Sequence, residues 1–156
     1  MQFSEDINAL KKLRKASWKF QQTFQTPPRG ENLSGFVATI ISASPSPGCG
    51  SFTLGDAVVF TDHLIAFFAK HSLAPTCRSG TTLTITSRQE AEGLLLAAFS
   101  DTLDFLFAPE RKPFVLYADH DQFTTFFAQK RSNLNRIVEP LVHNGFDLKS
   151  DYQRLL

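Results

Sequence analysis

Sixteen phenylalanines in 156 residues, set against one tryptophan and two tyrosines, constrain this chain more than any motif it carries. A phenylalanine buries a large area and brings no polar atom that needs a partner. So many in so short a chain must fill one bulky core or line a pocket or partner surface, and core placement is the default. A chain of this length supports one domain with a substantial core, not two. Residues 1–156 therefore read as a single α+β domain.

The aromatic residues are densest between Pro113 and Lys130. Phe114-Val-Leu-Tyr-Ala118 reads as a short buried strand. Asp119-His120-Asp121 follows at once, and Phe123, Phe126 and Phe127 then keep helical spacing. Leu134, Ile137, Val138, Leu141 and Val142 continue it, which predicts helix over about 121–144. Pro140 is expected to kink that helix or mark a break near Ser132, and Asn144-Gly145 ends it.

Elsewhere the same reasoning predicts a helix over about 4–24, with Ser4 as N-cap and Glu5 and Asp6 in its first turn. Pro27-Pro28-Arg29-Gly30 then forms a linker, so residues 1–30 read as a basic amphipathic arm packed on the domain or extending from it. Gly35–Ser42 is rich in β-branched residues and predicts a strand. Ser51–Leu54 is its returning partner after a Pro/Gly/Ser loop. Leu64, Phe67 and Phe68 support a helix over about 56–71, although Val58-Val59-Phe60 also fits a strand. Thr81–Thr86 alternates with period two, a half-buried strand. Ser87-Arg-Gln-Glu90 is a capping box, opening a helix over about 87–107. The tail from Phe146 suits either an edge strand or a last helical turn. The expected architecture is a small mixed sheet of about four strands covered by three to four helices.

Formal net charge is +1, so no whole-molecule field argues for nucleic acid. Met1-Gln-Phe-Ser-Glu-Asp6 has acids where a secretory leader has bases, and no apolar run approaches the ~18 residues of a membrane span. The expected location is the cytoplasm. On a helical projection of 4–24, Lys11, Lys12, Arg14, Lys15 and Lys19 oppose Phe3, Leu10, Leu13, Phe20 and Phe24, with Trp18 at the seam. Such a face is ordinarily a solvated one whose lysine stems cover apolar surface. Its functional reading is a docking site for an acidic partner, a phosphate backbone or an anionic membrane. The leading expectation is a non-enzymatic binding or regulatory module that recognises a protein partner through these five bases and Trp18.

Asp119, His120 and Asp121 are the candidates for chemistry. Two carboxylates and an imidazole are donors for a divalent cation or for acid–base work. The alternative function is accordingly a small metal-dependent hydrolase or transferase built on residues 119–121. The plainer role is capping, with Asp121 accepting from Phe123 or Thr124. Asp62-His63 ahead of Phe67-Phe68-Ala69 echoes Asp119-His120 ahead of Phe126-Phe127-Ala128, and a true duplication would bring two Asp–His pairs together. Cys49 and Cys77 sit in loop-like segments and make no disulfide framework, so both are expected as free thiols. Without a phosphate loop, dinucleotide glycines, nucleophile elbow or zinc spacing, no cofactor is expected.

Overall fold

The computed structural model describes residues 1–6, 8–46, 48–56, 61–74 and 78–155. In chain order its elements are β1 (Gln2–Glu5), α1 (Ala9–Lys15), β2 (Phe20–Gln25), α2 (Leu33–Ser42), β3 (Gly50–Leu54), α3 (Asp62–Lys70), β4 (Thr81–Ile85), α4 (Arg88–Ser100), β5 (Phe105–Pro109), β6 (Val115–Ala118), β7 (Phe123–Ala128) and α5 (Arg131–His143). The strands form one seven-stranded sheet in the order β1-β4-β3-β5-β6-β7-β2. Every neighbouring pair is antiparallel. The domain is α+β, but the four-stranded mixed sheet expected from sequence is overturned.

Alternation along the strands sorts the two faces. Phe3, Leu83, Phe52, Phe107, Leu116 and Phe126 lie in register across the sheet and point into the main core. The buried sides of α2, α3, α4 and α5 cover that face. Among the described residues nine phenylalanines are fully buried, so the surplus does what core placement predicts. The opposite face carries the row Ser4, Thr82, Thr53, Leu106, Tyr117, Thr125 and Thr23. Here α1 sets Leu13 on Leu106 and Val115, with Trp18 packed beside them.

Four segments depart from the expected elements. Residues 4–24 are not one helix but β1, α1 and β2, because Phe20 and Phe24 also satisfy the alternation of a strand against Gln21, Thr23 and Gln25. Gly35–Ser42 is helical despite its β-branched residues. Leu33, Phe36, Val37, Ile40 and Ile41 fall at i, i+3, i+4, i+7 and i+8, and all are buried. The helix opened by Ser87 stops at Ser100, and Phe105 and Phe107 are alternate core residues of β5. Residues 123–128 are β7, with Thr124, Phe126 and Ala128 facing the main core side and β2 and β6 pairing on either flank. Helix α5 begins at Arg131, near the break expected at Ser132, and continues through Pro140.

Strands do stand at 50–54, 81–85 and 115–118, but β3 pairs with β4 and β5 and is not the returning partner of residues 35–42, which are helical. The capping box forms as expected: Ser87 Oγ accepts from Glu90 N–H at 3.2 Å, while Glu90 reaches back to Thr86 N–H at 3.1 Å. Leu148 bridges Phe24, so the tail adds an edge contact beside β2. Cys49 is a free thiol. Residues 57–60, whose strand or helix character was open, and Cys77 lie outside the described residues. Among the described residues no helix is long and apolar enough to cross a membrane.

Candidate functional site

The turn between α4 and β5 organises one end of the sheet. Helix α4 ends on Asp101, and Thr102 takes the left-handed conformation at φ 51°. Thr102 N–H then bonds Phe99 C=O and Leu103 N–H bonds Ala98 C=O, the paired pattern that closes a helix C-terminus. This closure fixes two buried carboxylates, Asp101 and Asp104, which are 4% and 7% exposed.

Each carboxylate holds a histidine from another element. Asp101 accepts His63 Nδ1–H at 2.7 Å, His63 N–H at 3.1 Å and Leu64 N–H at 2.8 Å. It thereby caps α3 from a distance, since Thr61 at the N-cap makes no side-chain bond of its own. Asp104 accepts His120 N–H at 2.7 Å and His120 Nδ1–H at 2.8 Å. The Asp104 bond is the main cause that raises the His120 pKa above its ordinary 6.5. His63 Nε2 meets Arg29 Nη1 at 2.5 Å. His120 Nε2 instead points toward Asp121, 3.9 Å away, on a side chain 55% exposed.

Asp119, His120 and Asp121 do not converge on one point. The three belong to the β6–β7 hairpin turn, which Gln122 closes at φ 64°. Asp119 accepts Phe123 N–H at 2.9 Å and pairs with Arg154, whose guanidinium lies 4.6 Å over the Tyr117 ring. Asp121 is 74% exposed. Capping of the Phe123 amide does occur, but Asp119 supplies the oxygen and the element capped is a hairpin, not a helix. Among the described residues no group of three or more His, Cys, Asp or Glu has the arrangement of a metal site.

The sequence echo has a structural counterpart without being a repeat. Asp62-His63 opens a helix, whereas Asp119-His120 sits in a hairpin. The two histidines share the α4–β5 turn as their anchor, one at the first turn of α3 and one in a hairpin turn, both places where backbone N–H groups need an acceptor.

On the other face of the sheet, Lys11, Arg14 and Lys15 project from α1 and Lys19 from the approach to β2, all exposed. Lys12 differs, pairing with Asp6 at 2.7 Å and holding that carboxyl below its usual range. Trp18 folds back under α1: its Nε1–H donates to Leu13 C=O at 3.1 Å, and its ring lies 6.0 Å from Phe127. Between α1 and the sheet runs a groove of about 440 Å³, with Leu13, Trp18, Leu106 and Val115 as its apolar floor and Lys12 and Lys112 at its rim.

Sequence reasoning missed Arg111 and Lys112, which the β5–β6 turn presents in consecutive left-handed conformations at φ 63° and 47°. Their signal was a basic pair between Pro109 and Pro113, a turn placed beside α1 only by strand pairing. It also missed Asp101 and Asp104. An acid at a helix C-terminus opposes the helix dipole, and that conflict is a signal of a partner elsewhere in the fold.

No family model matches the chain, and neither does any curated protein or any solved structure.

Proposed function

We propose that this chain is a non-enzymatic, cytoplasmic binding module that recognises an acidic segment of a protein partner through α1 and the groove beneath it. One observation carries the reading. Lys11, Arg14, Lys15, Lys19, Arg111 and Lys112 are exposed and make no ion pair among the described residues; Lys112 lines the apolar groove itself, and the others lie on α1, on the approach to β2 and on the β5–β6 turn next to it. A segment with carboxylates flanking one or two apolar side chains complements both features: the charges steer it in, and the apolar floor holds it. Trp18 is the aromatic anchor of that floor, a residue type enriched at protein interfaces.

A hydrolase or transferase at 119–121 would need its three side chains aimed at one substrate. Asp119 is instead engaged by Phe123 N–H and Arg154, which favours the binding reading.

The test uses Trp18, the single tryptophan in the chain. A synthetic peptide alternating Glu and Leu is titrated into the protein at low salt, and tryptophan emission is followed. The expected result is a saturable change that weakens as salt rises, because screening shortens the reach of exposed charges. Arg14→Glu with Lys112→Glu should abolish it. An emission unaffected by the peptide at low salt, or a binding curve that charge reversal leaves intact, defeats the reading.

A further inference from the structure

On the helical side of the molecule, away from α1, a second groove of about 430 Å³ lies among Arg29, Ser34, α3 and α4. Arg29, His63 and Lys70 line it together with the hydroxyls of Ser34 and Ser100, over an apolar floor that includes Phe67 and Leu96. We propose that this groove binds a small phosphomonoester. Arg29, Lys70, Ser34 and Ser100 hold its phosphoryl group, and Phe67 and Leu96 support its organic part.

Arg29 is positioned rather than loose. A guanidinium offers only donors, so His63 Nε2 accepts from it at 2.5 Å. The Nδ1 atom then carries the ring proton and donates to Asp101. Asp101 also holds the His63 backbone N–H, so ring and backbone are fixed together. The chain from a buried carboxylate through an imidazole to a guanidinium aims one face of Arg29 at His63. Its other N–H groups have no partner among the described residues.

Neither Arg29 nor Lys70 makes an ion pair among the described residues. Asp101 is shared among three N–H donors on α3. The first turn of α2, which contains Ser34, has no acid, and the Asn32 side chain at its N-cap makes no capping bond to the helix amides. The helix dipole there adds to the attraction for an anion.

Geometry selects the ligand class. A guanidinium fork, an ammonium and two hydroxyls offer more donors than the two coplanar oxygens of a carboxylate use well. A tetrahedral phosphoryl dianion presents three oxygens in different directions and suits that mixed set. The groove is larger than inorganic phosphate requires, and its apolar floor accommodates a compact organic group.

The experiment titrates the full chain with phenyl phosphate and, separately, with inorganic phosphate, following backbone amide signals by NMR. Phenyl phosphate should saturate and shift the amides of Ser34, Gly35, His63 and Ser100, binding more tightly than inorganic phosphate. Arg29→Gln and Lys70→Gln should each weaken it about tenfold, as loss of one charge-assisted contact does. Both side chains are exposed, so either variant should keep an otherwise unchanged spectrum, which is checked first. A phosphotyrosine peptide that binds far more tightly than phenyl phosphate would make the occupant a protein and overturn the small-molecule proposal. So would an absence of saturation, shifts confined to another face, or affinity that both variants leave unchanged.

Discussion

Asp101 grips His63 at two points, taking its Nδ1–H at 2.7 Å and its backbone N–H at 3.1 Å. Asp104, three residues on, takes the same two groups of His120 at 2.8 and 2.7 Å. One turn therefore ties α3 and the β6–β7 hairpin to the end of α4. The outer nitrogens of the two rings have different fates. His63 Nε2 is occupied by Arg29, while His120 Nε2 faces solvent near Asp121.

Because Asp101 satisfies two N–H groups at the start of α3 besides the imidazole, Asp101→Ala should leave buried donors without an acceptor. We expect a loss on the order of 3 kcal/mol, combining a helix cap with a charged hydrogen bond. Asp101→Asn should recover part of it through its remaining carbonyl oxygen. Urea unfolding measures both, and a loss under about 1 kcal/mol for the alanine variant would show that Asp101 does not cap α3.

The raised pKa of His120 ties hairpin stability to pH. The folded value lies above the ordinary 6.5 because Asp104 holds the protonated ring. A group raised on folding contributes stability in full below its unfolded pKa and loses it as pH rises through the folded value. Stability should therefore fall modestly from about pH 6 upward into the neutral range. Solvent screening limits the size, since the ring is half exposed. His120→Asn should flatten that slope. A slope of the same size in the variant would assign the titration to another group.

Charge reversal on the α1 face should separate binding from folding. Lys11, Lys15 and Lys19 are exposed and unpaired among the described residues. Changing all three to Glu is expected to move stability by no more than about 0.5 kcal/mol per site. Binding of an acidic peptide should be lost in the same variant. A large drop in melting temperature would mean that these stems pack on the domain.

Truncation of the core aromatics should be far more damaging. Phe126 is fully buried with its ring 6.0 Å from Phe24 and 5.9 Å from Phe114. Phe99 lies 5.7 Å from Phe36 and 4.9 Å from Phe105. Each change to alanine should cost about 3–5 kcal/mol, the transfer loss plus the cavity left behind. Chemical denaturation checks the figure, and a cost below about 1 kcal/mol would place that ring outside the packed core.

Some of this architecture was legible locally. Thr81–Ile85 alternates, Ser87 and Glu90 spell a helix start, and the phenylalanines announce a large core. Residues 123–128 were not legible, because Phe123, Phe126 and Phe127 satisfy helical spacing as well as Thr124, Phe126 and Ala128 satisfy strand spacing. What resolves them is pairing on both flanks: Thr23 Oγ1 meets Thr125 Oγ1 at 2.8 Å across 102 residues of chain. Gly35–Ser42 shows the opposite conflict. Its β-branched residues favour a strand, but one buried stripe against α4 and α5 outweighs that preference.

By itself the sequence determined an α+β domain with a phenylalanine core, a basic segment near Lys11–Lys19 and a capped helix from Arg88, because each depends on side-chain chemistry or on spacing within a few turns. Tertiary structure alone decided the seven-stranded order, the groove under α1 and the partnership of Asp101 and Asp104 with His63 and His120. Those features require backbone hydrogen bonds and carboxylate contacts between segments tens of residues apart, and each side chain's partner is chosen only when the sheet closes around it.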